Sequence, residues 1–155
     1  MHDGAPILVL REELRLITSL LDILKEEQQS LVAADIDKLS ALTPQKSDLI
    51  GRMAALSGER HAALGEAGFE AREAGMETWL AAHGTPEDGS LWQQVLAETR
   101  EAKELNRLNG MLINKQLAHT QSGLQALRPP AQTGGVYGPS GRTTPNTTSR
   151  GFLAG

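Results

Sequence analysis

A chain of 155 residues has room for one domain with a modest core, and not for an elaborate active-site scaffold. Aromatic residues make up 3% against 39% hydrophobic residues in all, so the core must come from Leu, Ile, Val, Met and Ala, which suits helix on helix and disfavours strand sandwiches. A formal net charge of −4 without any basic run argues against nucleic acid and anionic membranes as partners, and the lack of cysteine excludes disulfides and thiolate metal sites.

The first apolar run, Ile7 to Leu10, is cut by Arg11, far short of a membrane span or a signal-peptide core. A soluble, unprocessed chain is therefore expected. From Ile7 to Leu31 the positions Ile7, Leu10, Leu14, Ile17, Leu21, Leu24 and Leu31 follow alternating steps of three and four, with Gln28 in the remaining slot. This heptad seam predicts a helix, and Leu16, Leu20 and Ile23 widen it enough to touch more than one neighbour.

Ala33-Ala34-Asp35 breaks the run, with Asp35 placed to cap a second helix and a connection short enough to make an antiparallel hairpin. The second helix uses Ile36, Leu39, Leu42, Leu49, Ile50, Met53 and Leu56. Pro44 should kink it, or restart it with Thr43 as the cap. Lys46 falls within the apolar spacing; it either lays its stem along the surface or forms a partly buried pair with a carboxylate of the first helix.

Between Ser57 and Ser90 six glycines weaken the helical signal. Met76 to Ala82 reads as a short helix and Thr85 to Gly89 as a turn, with Ser90 or Asp88 capping the long helix after it. Phe69, Trp79 and Trp92 crowd this region and should anchor the turn to one end of the bundle, an exposed binding patch being the alternative.

Leu91 to Leu127 holds a helical pattern longer than any other segment. Leu91, Val95, Ala102, Leu105, Leu112, Ile113, Leu124 and Leu127 share one broad stripe, opposite Arg100, Glu104 and Arg107. A helix of that extent is roughly 55 Å long, too long for a small domain to wrap, so part of its apolar face must meet other long helices or a partner protein. Asn106, Asn109, Gln116 and Thr120 on or beside the stripe rule out a dry, wholly apolar seam.

After Leu127, Gly, Pro, Ser, Thr and Asn dominate, and Arg128, Arg142 and Arg150 carry all the charge, leaving an acidic body. The expected organisation is a helical domain, 1–127, and a flexible tail, 128–155, in which Val136, Tyr137, Phe152 and Leu153 are apolar islands. His2, His61, His83 and His119 are scattered and the Glu-x-x-His motif of di-iron bundles does not occur, so no metal or other cofactor is expected. Nor is a nucleophile grouped with a base, and the tail glycines lack the spacing and lysine of a phosphate loop, so the chain is not read as an enzyme.

Several pieces in order resemble the FlgN-like flagellar export chaperones. They are Leu20-Leu21-x-x-Leu24-x-x-Glu27; Leu31-x-x-x-Asp35 followed by Leu39, Leu42 and Lys46-x-x-Leu49; Asn106-Arg107-Leu108-Asn109-Gly110-x-Leu112-Ile113; and Val136-Tyr137-Gly138-x-x-Gly141 in the tail. The resemblance covers most of the chain, although Pro44 and the glycine-rich middle do not line up with the family pattern. It implies an all-α bundle of about four long antiparallel helices, STAT-like in arrangement. It also implies a cytoplasmic protein, monomeric or weakly self-associating, that binds the C-terminal amphipathic helices of the hook–filament junction proteins FlgK and FlgL. Such a protein keeps those subunits from assembling early and delivers them to the type III export gate component FlhA.

On that basis cargo is expected on the long last helix, with Leu105, Leu108, Met111, Leu112 and Leu117 as apolar contacts and Asn106 and Asn109 as polar ones. Leu108, Met111 and Leu117 flank the stripe and are the better candidates for exposure. The resemblance matches Tyr137 to a tail tyrosine that docks on the export gate. The alternatives are a coiled-coil adaptor that self-associates through the heptads of the first helix, and a chaperone for another type III secretion subunit.

Overall fold

The computed structural model describes residues 5–127, which form four helices and no strand. They are α1 (Ala5–Ala33), α2 (Ile36–Glu66), α3 (Glu73–His83) and α4 (Pro86–Ala126). The all-α class expected from composition is what the chain adopts. Two units divide it, Met1–Ile113 and Asn114–Gly155, with the boundary inside α4.

The α1–α2 turn takes two residues. Ala34 has φ +55°, its amide reaches the Leu31 carbonyl at 3.2 Å, and the Asp35 amide reaches Ser30 at 2.9 Å. These are the two bonds of a Schellman ending, here with alanine in the left-handed position that glycine usually fills. Asp35 then caps α2, its Oδ1 accepting from the Lys38 amide at 3.1 Å, as the sequence predicted.

α2 does not restart at Pro44. One uninterrupted helix runs to Glu66, and the Thr43 hydroxyl donates back to the Leu39 carbonyl at 2.9 Å instead of capping. It also continues through Gly51, Gly58 and Gly65, beyond the point where its signal fades, and closes on a second Schellman turn. There Gly68, at φ +90°, donates to Gly65, and Phe69 donates to Leu64 at 2.9 Å.

The short helix predicted from Met76 to Ala82 is α3, slightly longer at both ends. At its start the backbone of Glu70 comes so close to Gly75 that a Cβ there would lie 2.0 Å from the Glu70 carbonyl oxygen. The cap of α4 is Thr85, not Ser90 or Asp88. Thr85 Oγ1 accepts from the Asp88 amide at 3.2 Å while Asp88 Oδ2 accepts from the Thr85 amide at 3.0 Å. Pro86 takes the first helical position, where a missing amide proton is harmless.

Within the first unit two apolar clusters make the core. One joins Leu16, Ile17, Leu20, Leu21 and Leu24 of α1 to Leu49 of α2 and Ala102 of α4. The other joins Leu10, Leu64, Met76, Trp79, Trp92 and Val95, so that all four helices meet around the two tryptophans. Phe69 packs on this second cluster, which makes the aromatic group an anchor and not an exposed patch. α1 and α2 are antiparallel with closely approaching backbones. α4 runs alongside α1 in the same direction, with Glu98 bonded to Thr18 at 2.7 Å and Asn109 to the Leu24 carbonyl at 3.0 Å.

Candidate functional site

Two surfaces of this bundle are open and apolar. The first is on the second half of α4. Met111 and Leu117 are 55% and 56% exposed, and Ile113 is also exposed; Met111 lies on the opposite side of the helix from Ile113, where Arg107 Nη1 donates to its Sδ at 3.1 Å. In the unit that begins at Asn114, Leu117, Thr120, Leu124 and Leu127 recur in steps of three and four, which sets them along one side of the helix, and Leu124 and Leu127 are 62% and 82% exposed. A run of large apolar side chains in water is unfavourable by about 25 cal/mol per Å², and such runs mark partner-binding surfaces.

The remaining residues expected to face a partner lie differently. Leu105 is half-buried and packs on the first core cluster, and Leu108 and Leu112 are half-buried. Asn106 is exposed. Asn109 is 1% exposed: its Nδ2 donates to the Leu24 carbonyl and, at 2.9 Å, to Glu27 Oε1. Asn109 is therefore a buried link between α4 and α1, and the expectation that it offers a polar contact to cargo is corrected. Tyr137, with Val136, Phe152 and Leu153, lies outside the described residues.

The second open surface is a trough in the first unit, walled by α2 and α4 and floored by α1. Its apolar end, of about 230 Å³, has Ile17, Leu20 and Leu24 beneath Ile50 and Met53 of α2 and Ala102 of α4. Met53, Thr99 and Lys103 carry it into a larger opening of about 530 Å³ that reaches Ser57, Leu96 and Arg100.

Two ion networks adjoin the trough. Lys46 reaches Glu27 at 3.2 Å, so the partly buried pair is the reading that holds; the same carboxylate receives Asn109. Arg60, 2% exposed, makes two bonds to Glu13 (2.7 and 3.1 Å) and one to Glu73 (2.9 Å), and its guanidinium lies 4.8 Å from the Trp92 ring centre. Burial disfavours the charged guanidinium, yet the bonds and charges of Glu13 and then Glu73 outweigh it and hold its pKa above the ordinary value. For Glu73 burial acts in the opposite direction, upward, while bonds from His61 and Arg60 and their charges bring its pKa below the usual carboxylate value.

Arg60 ties α1, α2, α3 and α4 together, and periodicity alone did not single it out. The available signal was the one noticed at Lys46. Arg60 continues the steps Met53, Leu56, Arg60, Leu64, so a charged residue fills an apolar slot. These carboxylates are matched by cations and linked to structure. Among the described residues no group of three His, Cys, Asp or Glu side chains could hold a metal ion.

Comparison with known proteins decides the family. The profile of the FlgN protein family matches residues 1–145. The chain belongs to the FlgN family. Among curated relatives, the flagella synthesis protein FlgN of Escherichia coli K12 is 26% identical over 137 residues, 87% of this chain and 86% of its own. Its namesakes in Salmonella typhimurium (24% over 138 residues, 88% of each chain) and Proteus mirabilis (27% over 145 residues, 92% of this chain and 89% of its own) are similar at the same level. No solved structure matches significantly. The exposed α4 surface and the trough are thus features of a FlgN-family bundle. No helix among the described residues is long and apolar enough to cross a membrane.

Proposed function

We propose that this protein is a flagellar export chaperone, not an enzyme, acting in the cytoplasm. It binds the C-terminal amphipathic helices of the hook–filament junction proteins FlgK and FlgL, prevents their early assembly and passes them to the export gate protein FlhA. Membership of the FlgN family and relatives named as flagella synthesis proteins support a role in building the flagellum. The observation that carries the chaperone reading is the row of exposed leucines Leu117, Leu124 and Leu127 along one side of α4. A cargo helix with its own apolar stripe covers such a face, and a single open helix side favours release over permanent capture.

In this reading Leu117 is the principal apolar contact and Asn106 a polar one, Met111 is a second apolar contact reached around the helix, and Leu105, Leu108 and Leu112 support them from the half-buried flank. Residues 1–127 act as the chaperone domain and 128–155 as the tail whose Tyr137 docks on the gate. Co-purification with C-terminal fragments of FlgK and FlgL tests the cargo half: wild-type protein retains them, and failure to retain either removes the reading. Tyr137→Ala is expected to weaken FlhA binding and leave cargo binding intact; equal FlhA affinity by calorimetry contradicts the tail assignment.

The adaptor alternative needs the α1 heptads free for a second copy. Leu10, Ile17, Leu21, Leu24 and Leu31 are instead buried within the chain's own fold, which favours the chaperone reading.

A further inference from the structure

We infer that the trough between α2 and α4 is a second docking surface, separate from the end of α4, and that it takes an amphipathic helix with carboxylates along one flank of its apolar stripe.

The shape argues for a helix. The trough is floored by Ile17, Leu20 and Leu24 of α1 and extends on α4 from Val95 to Asn106, about 17 Å or three helical turns. Three long helices with an open seam between two of them leave a position that a further helix can fill by ridge-and-groove packing. Ile50 on the α2 wall is 46% exposed, an apolar side chain with nothing of the described chain drawn over it.

The charge argues for acids on one flank. The lining carboxylates Glu13 and Glu73 are both bonded to Arg60, and Lys46 is matched by Glu27. Arg100 and Lys103, both exposed on the α4 wall, have no ion-pair partner among the described residues. Three residues apart on one helix, they are neighbours on the same edge. The facing α2 wall is uncharged at Ile50, Met53, Ala54 and Ser57. An otherwise acidic protein thus presents a cationic edge along one side of an apolar channel. Carboxylates spaced three or four residues apart on the occupant would face that edge, and lysines there would be repelled.

The test uses the full chain and two synthetic helical peptides of about 14 residues, the length that matches the trough. They share one leucine stripe; one carries Glu at two positions along one flank, spaced by four, and the other Lys. By fluorescence anisotropy at low salt, the Glu peptide is expected to bind about tenfold more tightly, the sum of two exposed ion pairs, and less so as salt rises. Arg100→Glu with Lys103→Glu should invert the order, and Ile50→Asp should abolish binding of both. Leu117→Asp should change neither.

Equal binding of the two peptides, or an order that survives the charge reversal, overturns the proposal. Loss of binding in Leu117→Asp overturns it too, by moving the site to the end of α4, while leaving the cargo reading untouched. Tighter peptide binding by Tyr137→Ala or Phe152→Ala would make the chain's own tail the occupant. A sedimenting dimer that Ile50→Asp dissolves would make the occupant a second copy; either result replaces the proposed partner.

Discussion

Arg60 on α2 and Glu13 on α1 meet inside the bundle through two hydrogen bonds, 2.7 and 3.1 Å long, with both side chains less than a tenth exposed. Removing one member leaves the other charged and buried. Arg60→Ala is expected to destabilise the fold by about 3–5 kcal/mol, because an uncompensated buried charge is the largest penalty such a pair can leave. Arg60→Met combined with Glu13→Leu should lose much less, since both charges go together. Urea denaturation followed by circular dichroism measures both; a double variant as unstable as the single one contradicts this account.

The outer member of the same network sets a pH dependence. Glu73 has a folded pKa below its ordinary 4.5, because bonds from His61 and Arg60 outweigh its partial burial. For a depressed carboxylate the contribution is fully present above the unfolded value and is lost as pH falls through the folded one. Thermal stability should therefore decline below about pH 4.5, and Glu73→Gln should flatten that part of the profile. The slope is expected to be shallow, because the carboxylate is half exposed.

Ala34 holds a left-handed backbone at φ +55° in the α1–α2 turn, whereas Gly68 fills the equivalent place after α2. An L-residue is disfavoured there by about 1–2 kcal/mol, and glycine regains part of that against its greater freedom when unfolded. Ala34→Gly should raise stability by about 0.5–1 kcal/mol. An unchanged or lower denaturation midpoint would show that the turn relaxes around alanine.

Asn109 and Asn106 are three residues apart and belong to different environments. Asn109→Asp would place a second carboxylate within hydrogen-bond distance of Glu27, itself nearly buried, and is expected to destabilise by about 3 kcal/mol or more. Asn106→Asp lies on the exposed side and should stay within about 0.5 kcal/mol of the parent. Equal effects by thermal denaturation would remove the distinction.

Periodicity and capping made much of the architecture legible. The α1 heptads, Asp35 as cap and the tight hairpin come from local sequence, because each depends on residues within a turn or two of one another; the tryptophan anchor showed only as a crowding of aromatics between helices, its partners Leu10 and Leu64 being far away in the chain. The extension of α2 past Gly58 was not legible. Glycine lowers helix propensity by about 1 kcal/mol, and burial of Arg60 and Leu64 offsets that only once α1 and α3 are in place.

The partner-facing surface was legible in outline and not in detail. A single stripe at 100° per residue placed Val95, Ala102, Ile113 and Leu124 together, but the fold buries the first two and leaves the last two in water. Asn109 shows the same limit: a polar residue beside a stripe reads alike whether it meets solvent or Leu24 and Glu27 across the helix interface. The trough is a product of three helices far apart in sequence, so no local pattern announces it.

Cargo capture by the exposed apolar side chains in the second half of α4 is the point on which the proposed function rests. Calorimetric titration of a FlgK C-terminal fragment into full-length Met111→Asp/Leu117→Asp protein addresses it most directly, with circular dichroism to establish that helicity is kept. Both side chains are more than half exposed, so the fold should tolerate the change within about 0.5 kcal/mol per site. Affinity is predicted to fall by at least about a hundredfold, the loss of two apolar anchors worth about 1.5 kcal/mol each. Wild-type affinity in a variant that keeps its helicity would contradict this reading.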